Sequence, residues 1–330
     1  MVEIIFYIVF IIVLFFLELI YFKIADKYNI IDKPNHRSSH TQITLRGGGI
    51  IFPIAFLLYF AVSILYRKDT FIPKEYWAFG LGLLILSMIS FLDDILDLST
   101  KLRLFFHFIS VSLLIYFLGI LFILPIWLLP IVFIFIIGVL NAYNFMDGIN
   151  GITGVYSLVM LITFYYINQY GVAFTDAHFI IYPILASLVF LFFNFRKRAK
   201  CFAGDVGSMS IAFWVLALLG LLMVKTEDFT YLLFIAVYGI EVISTILQRI
   251  KLKENIFEAH RHHLYQLLVN QMKWSHLLVA TLYGGVQLLI NACVIKFGLN
   301  FWEGVLYLIL PTFIIYIYSK YYIYKKTGAY

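Results

Sequence analysis

The sequence predicts an all-α, polytopic integral membrane protein of 10–11 transmembrane helices, with residues 1–330 forming a single membrane-embedded domain. Three observations carry that expectation. Of the 330 residues, 63% are hydrophobic and only 13% charged, and mean hydropathy is +0.96. Eleven apolar stretches recur near 3–22, 47–66, 76–92, 102–122, 126–143, 152–167, 178–195, 208–224, 229–247, 275–296 and 302–319. Each approaches the roughly 17–25 residues that a helix needs to cross a hydrocarbon core. Lys and Arg are also shared unevenly. The odd-numbered gaps and the tail hold 19 of the 24, and the even-numbered gaps hold five: Arg67, Lys68, Lys74, Lys225 and Lys296. Basic residues collect on the cytoplasmic side, so the odd gaps and the tail are expected there and the N-terminus outside. The polar–apolar alternation of a membrane β-barrel is absent, and residues 128–140 are apolar all round, unlike a helix of a soluble core.

Along the chain, the first stretch lacks a preceding basic segment and a small-residue cleavage site, so it is expected to remain as the first helix. The gap after it reads Asp32-Lys33-Pro34-Asn35-His36-Arg37-Ser38-Ser39-His40 and leads to Arg46-Gly47-Gly48-Gly49. A basic loop entering a membrane helix through glycines suits phosphate contact and close helix packing, although no Gly-Lys-Ser/Thr makes it a Walker loop. The third stretch closes on Asp93-Asp94, followed by Asp97, Ser99-Thr100-Lys101 and Arg103. Adjacent carboxylates at a membrane interface are costly unless they bind a cation or handle a proton. Mg²⁺ suits them, because it combines carboxylates with substrate phosphates and retained waters, and Lys101 and Arg103 offer charge to phosphate oxygens. The plain alternative is a charged helix cap.

The fifth stretch ends in Asn141-Ala142-Tyr143-Asn144-Phe145-Met146-Asp147-Gly148-Ile149-Asn150-Gly151. Asn141, Asn144, Phe145 and Gly148 share one helical face, and amides serve equally as nucleobase partners or neutral metal ligands. Before the eighth stretch, the basic residues Arg196, Lys197, Arg198 and Lys200 precede Phe202-Ala203-Gly204-Asp205-Val206-Gly207-Ser208. A Gly-Asp-x-Gly-Ser segment at a helix start offers free amides to an anion and a carboxylate to a metal, while Asp and Ser are also ordinary caps. The ninth gap carries His260-Arg261-His262-His263. With no Cys nearby and tight spacing, donors to a pyrophosphate fit better than a zinc site. The lone His107, His178 and His276 read as structural, and aromatic residues near the span ends read as interfacial anchors. Cys201 and Cys293 fall in different compartments of the predicted topology, so no disulfide is expected.

The formal net charge of +6 belongs to the loops and suits anionic headgroups or phosphorylated substrates; no nucleic-acid partner is expected. A transporter of anionic metabolites would need ionisable groups along a path through the membrane. Glu241 is the main acid inside an apolar stretch, and no inverted repeat is evident, so an enzyme is favoured.

In order, Arg37-Ser38-Ser39-His40 with Arg46-Gly47-Gly48-Gly49, Phe91-Leu92-Asp93-Asp94, Ser99-Thr100-Lys101, 141–151, 202–208 and 260–266 resemble the polyprenyl-phosphate N-acetylhexosamine-1-phosphate transferases over nearly the whole chain. The resemblance implies transfer of a sugar-1-phosphate from a UDP-sugar to a polyprenyl phosphate in the membrane, with Mg²⁺ (or Mn²⁺) and release of UMP. It is compatible with a homodimer. It also implies roles: Asn144 and Asp205 for the metal, Asp93, Asp94 and Lys101 for catalysis, and Arg37, His40, Arg46, Asn141, Asp147, Asn150, His260, Arg261, His262 and His263 for substrate. The Arg-Ser-Ser-His and His-Arg-x-His forms look most like the branch that initiates O-antigen and related surface polysaccharides, rather than the peptidoglycan-precursor branch that uses phospho-MurNAc-pentapeptide. Two departures stand out: Asn150 replaces an acid common after Asp-Gly-x, and the proline common before the glycine run is missing.

Overall fold

The structure is a computed structural model describing residues 2–34, 39, 42–66, 75–96, 98–255 and 261–327. Eleven long α-helices dominate it: α1 Val2–Lys27, α2 Ile51–Tyr66, α3 Tyr76–Leu96, α4 Thr100–Phe117, α5 Leu129–Met146, α6 Ile152–Tyr170, α7 Ala177–Asn194, α8 Gly204–Thr226, α9 Ala236–Lys251, α10 His276–Phe297 and α11 Leu310–Thr327. The protein is therefore an all-α polytopic membrane protein, as its hydropathy predicts. Among the described residues, ten helical segments are long and apolar enough to cross a membrane. The eleventh expected stretch is α6, which is as long as its neighbours but buries Thr153, Ser157, Thr163 and Asn168. It lies between α7 and α10, so its polar side chains meet protein rather than lipid.

The most enclosed helix is α8, with 83% of its apolar window buried, and it packs against α2, α3, α5, α6 and α7. Its first turn is made of small residues that let other backbone come close. A Cβ on Gly49 would overlap the Cα of Gly207, so the glycine run before α2 lies directly on the start of α8. There Gly48 N–H donates to Phe202 O (2.8 Å) and Gly49 N–H to Ala203 O (3.0 Å). A two-residue ribbon, Ile31–Asp32 against Thr44–Leu45, runs antiparallel with Ile31 opposite Leu45, and Leu45 also bridges to Cys201.

Several boundaries move from their expected places for local reasons. α3 runs to Leu96, so Asp93 and Asp94 sit on its last turns rather than beyond it. α4 stops at Phe117, five residues early, because Gly119 turns left-handed (φ 67°). α8 begins at Gly204 rather than 208, which makes the Gly-Asp-x-Gly-Ser segment its first turn.

In the membrane interior, a 3₁₀ segment Phe229–Ile235 feeds into α9. Gln287 of α10 satisfies that junction: its Oε1 accepts from Val237 N–H (3.0 Å) and Tyr156 OH (2.8 Å), and its Nε2 donates to Leu233 O (3.0 Å). Buried backbone groups without partners are expensive in lipid, which accounts for a polar side chain at that depth.

Candidate active site

Loops at one end of the bundle meet around a cavity of about 310 Å³ lined by, among others, Arg46, Asn144, Asp147, Asn150, Asp205 and Gln266. At its base Arg46 joins three motifs. Its Nη2 lies 2.7 Å from Asp94 Oδ1 and 3.3 Å from Asp205 Oδ1. Burial alone would lower the arginine's pKa, but Asp94, Asp205 and Asp32 reverse this and hold the guanidinium charged. Asp94 is fully enclosed, and its two oxygens accept the backbone N–H groups of Asp205 (3.1 Å) and Val206 (3.3 Å). A carboxylate at a helix N-terminus satisfies orphan donors and meets the positive end of the dipole. Asp94 thus caps α8 from another helix and aims Arg46 at Asp205.

The backbone permits this only because it lacks side chains at two points. Gly204 adopts φ +69°, and a Cβ there would press on Asp94 Oδ2 and the Gly47 amide. Gly47 adopts φ +82° against the Tyr21 hydroxyl, and that hydroxyl donates to Arg46 O at 2.6 Å.

Adjacent positions on a helix point about 100° apart, so Asp93 and Asp94 diverge. Asp93 accepts Leu98 N–H (2.8 Å) and pairs with Arg103 Nη1 (2.7 Å), which ties α3 to α4 outside the cavity lining. Lys101 is exposed on the first turn of α4 and does not line the cavity. The amides of the fifth motif also separate. Asn141 Nδ2 donates back to Ile137 O (2.8 Å), while Asn144 faces the cavity and donates to Ser208 Oγ (3.3 Å). Asp147 stands in the cavity wall, where burial pushes its carboxyl up to about 7. Asn150, 4% exposed, donates to Arg196 O (2.8 Å) and Lys197 O (3.5 Å). An acid there would set oxygen against carbonyl oxygen, so this departure from the family pattern matches its surroundings.

The histidine motif is divided. His263 is buried on Glu241 (Nδ1 to Oε1, 3.3 Å). His262 lies between Glu254 Oε1 (3.1 Å) and the Tyr324 hydroxyl (3.1 Å). Arg261 is exposed. Burial raises the Glu254 carboxyl, but the hydrogen bonds and charges of Arg249 and His262 together outweigh it and hold Glu254 below the usual carboxylate range. Neither described histidine of this motif lines the cavity. Arg37, His40 and His260 lie outside the described residues.

Three cavity residues were not singled out from sequence. His276, read there as structural, lines the cavity and bridges two loops. Its Nδ1 accepts Asn150 N–H (3.3 Å), leaving Nε2 as the protonated nitrogen facing Ser39 O (3.1 Å). Asn194 accepts Gly151 N–H (2.6 Å) and donates to Cys201 O (2.8 Å). Asp32, at the start of the basic loop, completes the acidic lining. His276 opens one apolar stretch and Asn194 ends another, without a local pattern, so only tertiary proximity reveals them.

The donor set in the cavity is oxygen-rich: the carboxylates Asp32, Asp147 and Asp205 and the amide of Asn144. Among the described residues no three His, Cys, Asp or Glu side chains are grouped so as to hold a metal by themselves; the donor chemistry suits Mg²⁺, which takes one or two carboxylates together with phosphate and water oxygens.

The family match covers the middle of the site, from Asp94 to Asp205. Residues 76–224 match the family model described as glycosyl transferase family 4. The chain is 28% identical to the probable undecaprenyl-phosphate N-acetylglucosaminyl 1-phosphate transferase of Bacillus subtilis, over 75% of this chain and 72% of that protein. It is 30% identical to the phospho-N-acetylmuramoyl-pentapeptide-transferase of Thermotoga neapolitana, over 67% and 75%. It is also 27% identical to the undecaprenyl-phosphate alpha-N-acetylglucosaminyl 1-phosphate transferase of Escherichia coli, over 75% and 71%. The chain belongs to glycosyl transferase family 4, among the polyprenyl-phosphate N-acetylhexosamine-1-phosphate transferases.

Proposed function

We propose that this protein transfers N-acetylhexosamine-1-phosphate from a UDP-sugar to a polyprenyl phosphate such as undecaprenyl phosphate, releasing UMP. The donor would be UDP-N-acetylglucosamine or a related 6-deoxy-N-acetylhexosamine, and the lipid diphosphate formed would initiate a surface polysaccharide such as O-antigen. The single observation that carries this reading is the meeting of Arg46, Asp94 and Asp205 beside an oxygen-lined cavity at one end of a membrane bundle. The one-sided distribution of Lys and Arg supports a cytoplasmic position for that end in the cell membrane, where UDP-sugars are made.

In the reaction a lipid-phosphate oxygen bonds to the sugar-bearing phosphorus, and the bond from that phosphorus to the oxygen bridging to UMP breaks. The acceptor's second pKa, near 6 by analogy with phosphorylated side chains, leaves little proton to remove at neutral pH. Asp147, at about 7 in the cavity wall, is the carboxyl suited to take what remains. The larger barrier is repulsion between two anions. Mg²⁺, or Mn²⁺, held by Asp205 and Asn144 would offset that repulsion and stabilise charge on the departing UMP. Arg46 keeps Asp205 in place through its own pair with Asp94, and Arg261 of the histidine loop carries a guanidinium of the kind that binds phosphate oxygens.

Purified protein in lipid nanodiscs, given Mg²⁺, undecaprenyl phosphate and a panel of UDP-sugars, should release UMP and form one lipid diphosphate-sugar. UMP release with UDP-MurNAc-pentapeptide as the only accepted donor would instead support the peptidoglycan reading, in line with the name of the Thermotoga relative. No UMP with any donor would reject transfer.

A further inference from the structure

Glu241 lies inside α9 with 1% exposure, and a buried acid is stable only when its lone pairs are filled. A carboxylate offers about four acceptor sites, and four donors converge here. Its Oε1 accepts Leu264 N–H (2.6 Å) and the Tyr316 hydroxyl (3.0 Å) and meets His263 Nδ1 (3.3 Å), while Oε2 accepts the Tyr283 hydroxyl. One turn on, Thr245 accepts from Lys320 Nζ (3.1 Å), which brings a compensating charge close.

The Leu264 amide opens the short helix Leu264–Asn270. That helix reaches the cavity twice. Tyr265 donates to Phe145 O (2.9 Å) and lies against Gly148, where any Cβ would strike its ring, and Gln266 lines the cavity itself. The remaining support comes from α11, whose buried residues are Tyr316, Lys320, Ile323 and Tyr324, a stripe near every fourth position. Its other face, including Ile314, Ile315 and Tyr318, is exposed. The last helix therefore meets the bundle through the same polar knot, with Tyr324 reaching His262 (3.1 Å) and accepting from Gln248 (3.1 Å).

We propose that Glu241, clamped by Tyr316 of α11, is a positioning residue for sugar-phosphate transfer: it fixes where the helix Leu264–Asn270, and with it Gln266 and the histidine loop, stands against the donor. This rests on the functional reading above, and its test has an arm independent of it. Glu241→Ala, Glu241→Gln and Tyr316→Phe are compared with the parent in nanodiscs for donor and acceptor KM, and by hydrogen exchange of backbone amides. Glu241→Ala should raise donor KM about tenfold or more, the scale of one lost hydrogen bond to a charged group, with acceptor KM little changed. Glu241→Gln, equal in length and still an acceptor, should restore most of it. Amides of Leu264–Asn270 should exchange faster in Glu241→Ala and Tyr316→Phe while those of Gly204–Thr226 keep their protection. Unchanged donor KM would overturn the proposal, as would unchanged exchange in that short helix or loss of protection throughout the bundle. If Glu241→Ala does not fold, Tyr316→Phe decides by the same readouts. If the parent turns over no UDP-sugar, the functional reading fails, and the exchange arm still tests the clamp.

Discussion

Asp205 and Asp147 occupy one cavity but do different work, and their substitutions should separate. Asp205 extends from the first turn of α8, its orientation set by Arg46. Asp205→Asn should nearly abolish Mg²⁺-dependent UMP release yet leave a folded protein, because its amide can still meet Arg46; full activity would remove Asp205 from the metal site. Asp147 leaves a pH signature. Its folded pKa is raised by burial from 3.8 to about 7, so the folded state binds the proton more tightly than the unfolded one. The stability this lends is fully present below pH 3.8 and is lost as pH rises through about 7. Without divalent ions, the melting temperature of the parent should fall between pH 5 and 8 more than that of Asp147→Asn, and equal slopes would contradict the assignment. Asn150→Asp should cost about 1–3 kcal/mol, since a buried donor to Arg196 O becomes an acceptor facing it, a loss visible in thermal unfolding. The acids, amides and arginine were legible as motifs because membrane proteins rarely tolerate such groups without use. Which of Asp93 and Asp94 pairs with Arg46 beneath the cavity was not, since that depends on the last turn of α3 continuing past the expected end of the span.

At the scale of elements, the site depends on small residues where backbones touch. Gly49→Ala would force the start of α2 off α8, because the added methyl overlaps Gly207. It should lower both melting temperature and turnover by separating Arg46 from Asp205, whereas Gly138→Ala, where a Cβ meets open space, should change neither. A Gly49→Ala enzyme with parental activity would show that this contact is not required. The polar interior invites a different comparison. Gln287→Ala strands Val237 N–H at the 3₁₀–α junction and removes one of two donors to Leu233 O, which keeps Ala236 N–H; it should destabilise by about 1–3 kcal/mol while donor KM stays as in the parent. A large change in KM would place Gln287 in the substrate path instead. Helix number and order were readable from hydropathy, with α6 the instructive case. Its burial between two other helices lets it carry polar residues that lower its own apolar signal. The ends of α4 and α8 were not readable to the residue, because a left-handed glycine and a remote carboxylate cap set them.

For the molecule as a whole, the alternation of eleven helices brings every odd-numbered loop to one end, and the cavity forms there. Glu241, the acid that gave a transport path its best support in the sequence, is enclosed by four donors and closes a knot rather than lining a channel. The cytoplasmic assignment of the cavity end rests on 19 of 24 basic residues, and it carries a physical test. Cysteines at Ser99 and Asn255, both exposed at the cavity end, and at Glu227 and Asn300, exposed at the other, can be placed in a background with Cys293→Ser. The buried Cys201, whose thiol burial pushes well up, should stay silent as the thiolate is the reactive form. In intact cells an impermeant thiol reagent should label Glu227→Cys and Asn300→Cys and spare Ser99→Cys and Asn255→Cys until the membrane is opened. The reverse pattern would turn the cavity outward, away from cytosolic UDP-sugar, and with it would fall the proposed donor, because an anionic nucleotide sugar cannot cross the hydrocarbon core unaided.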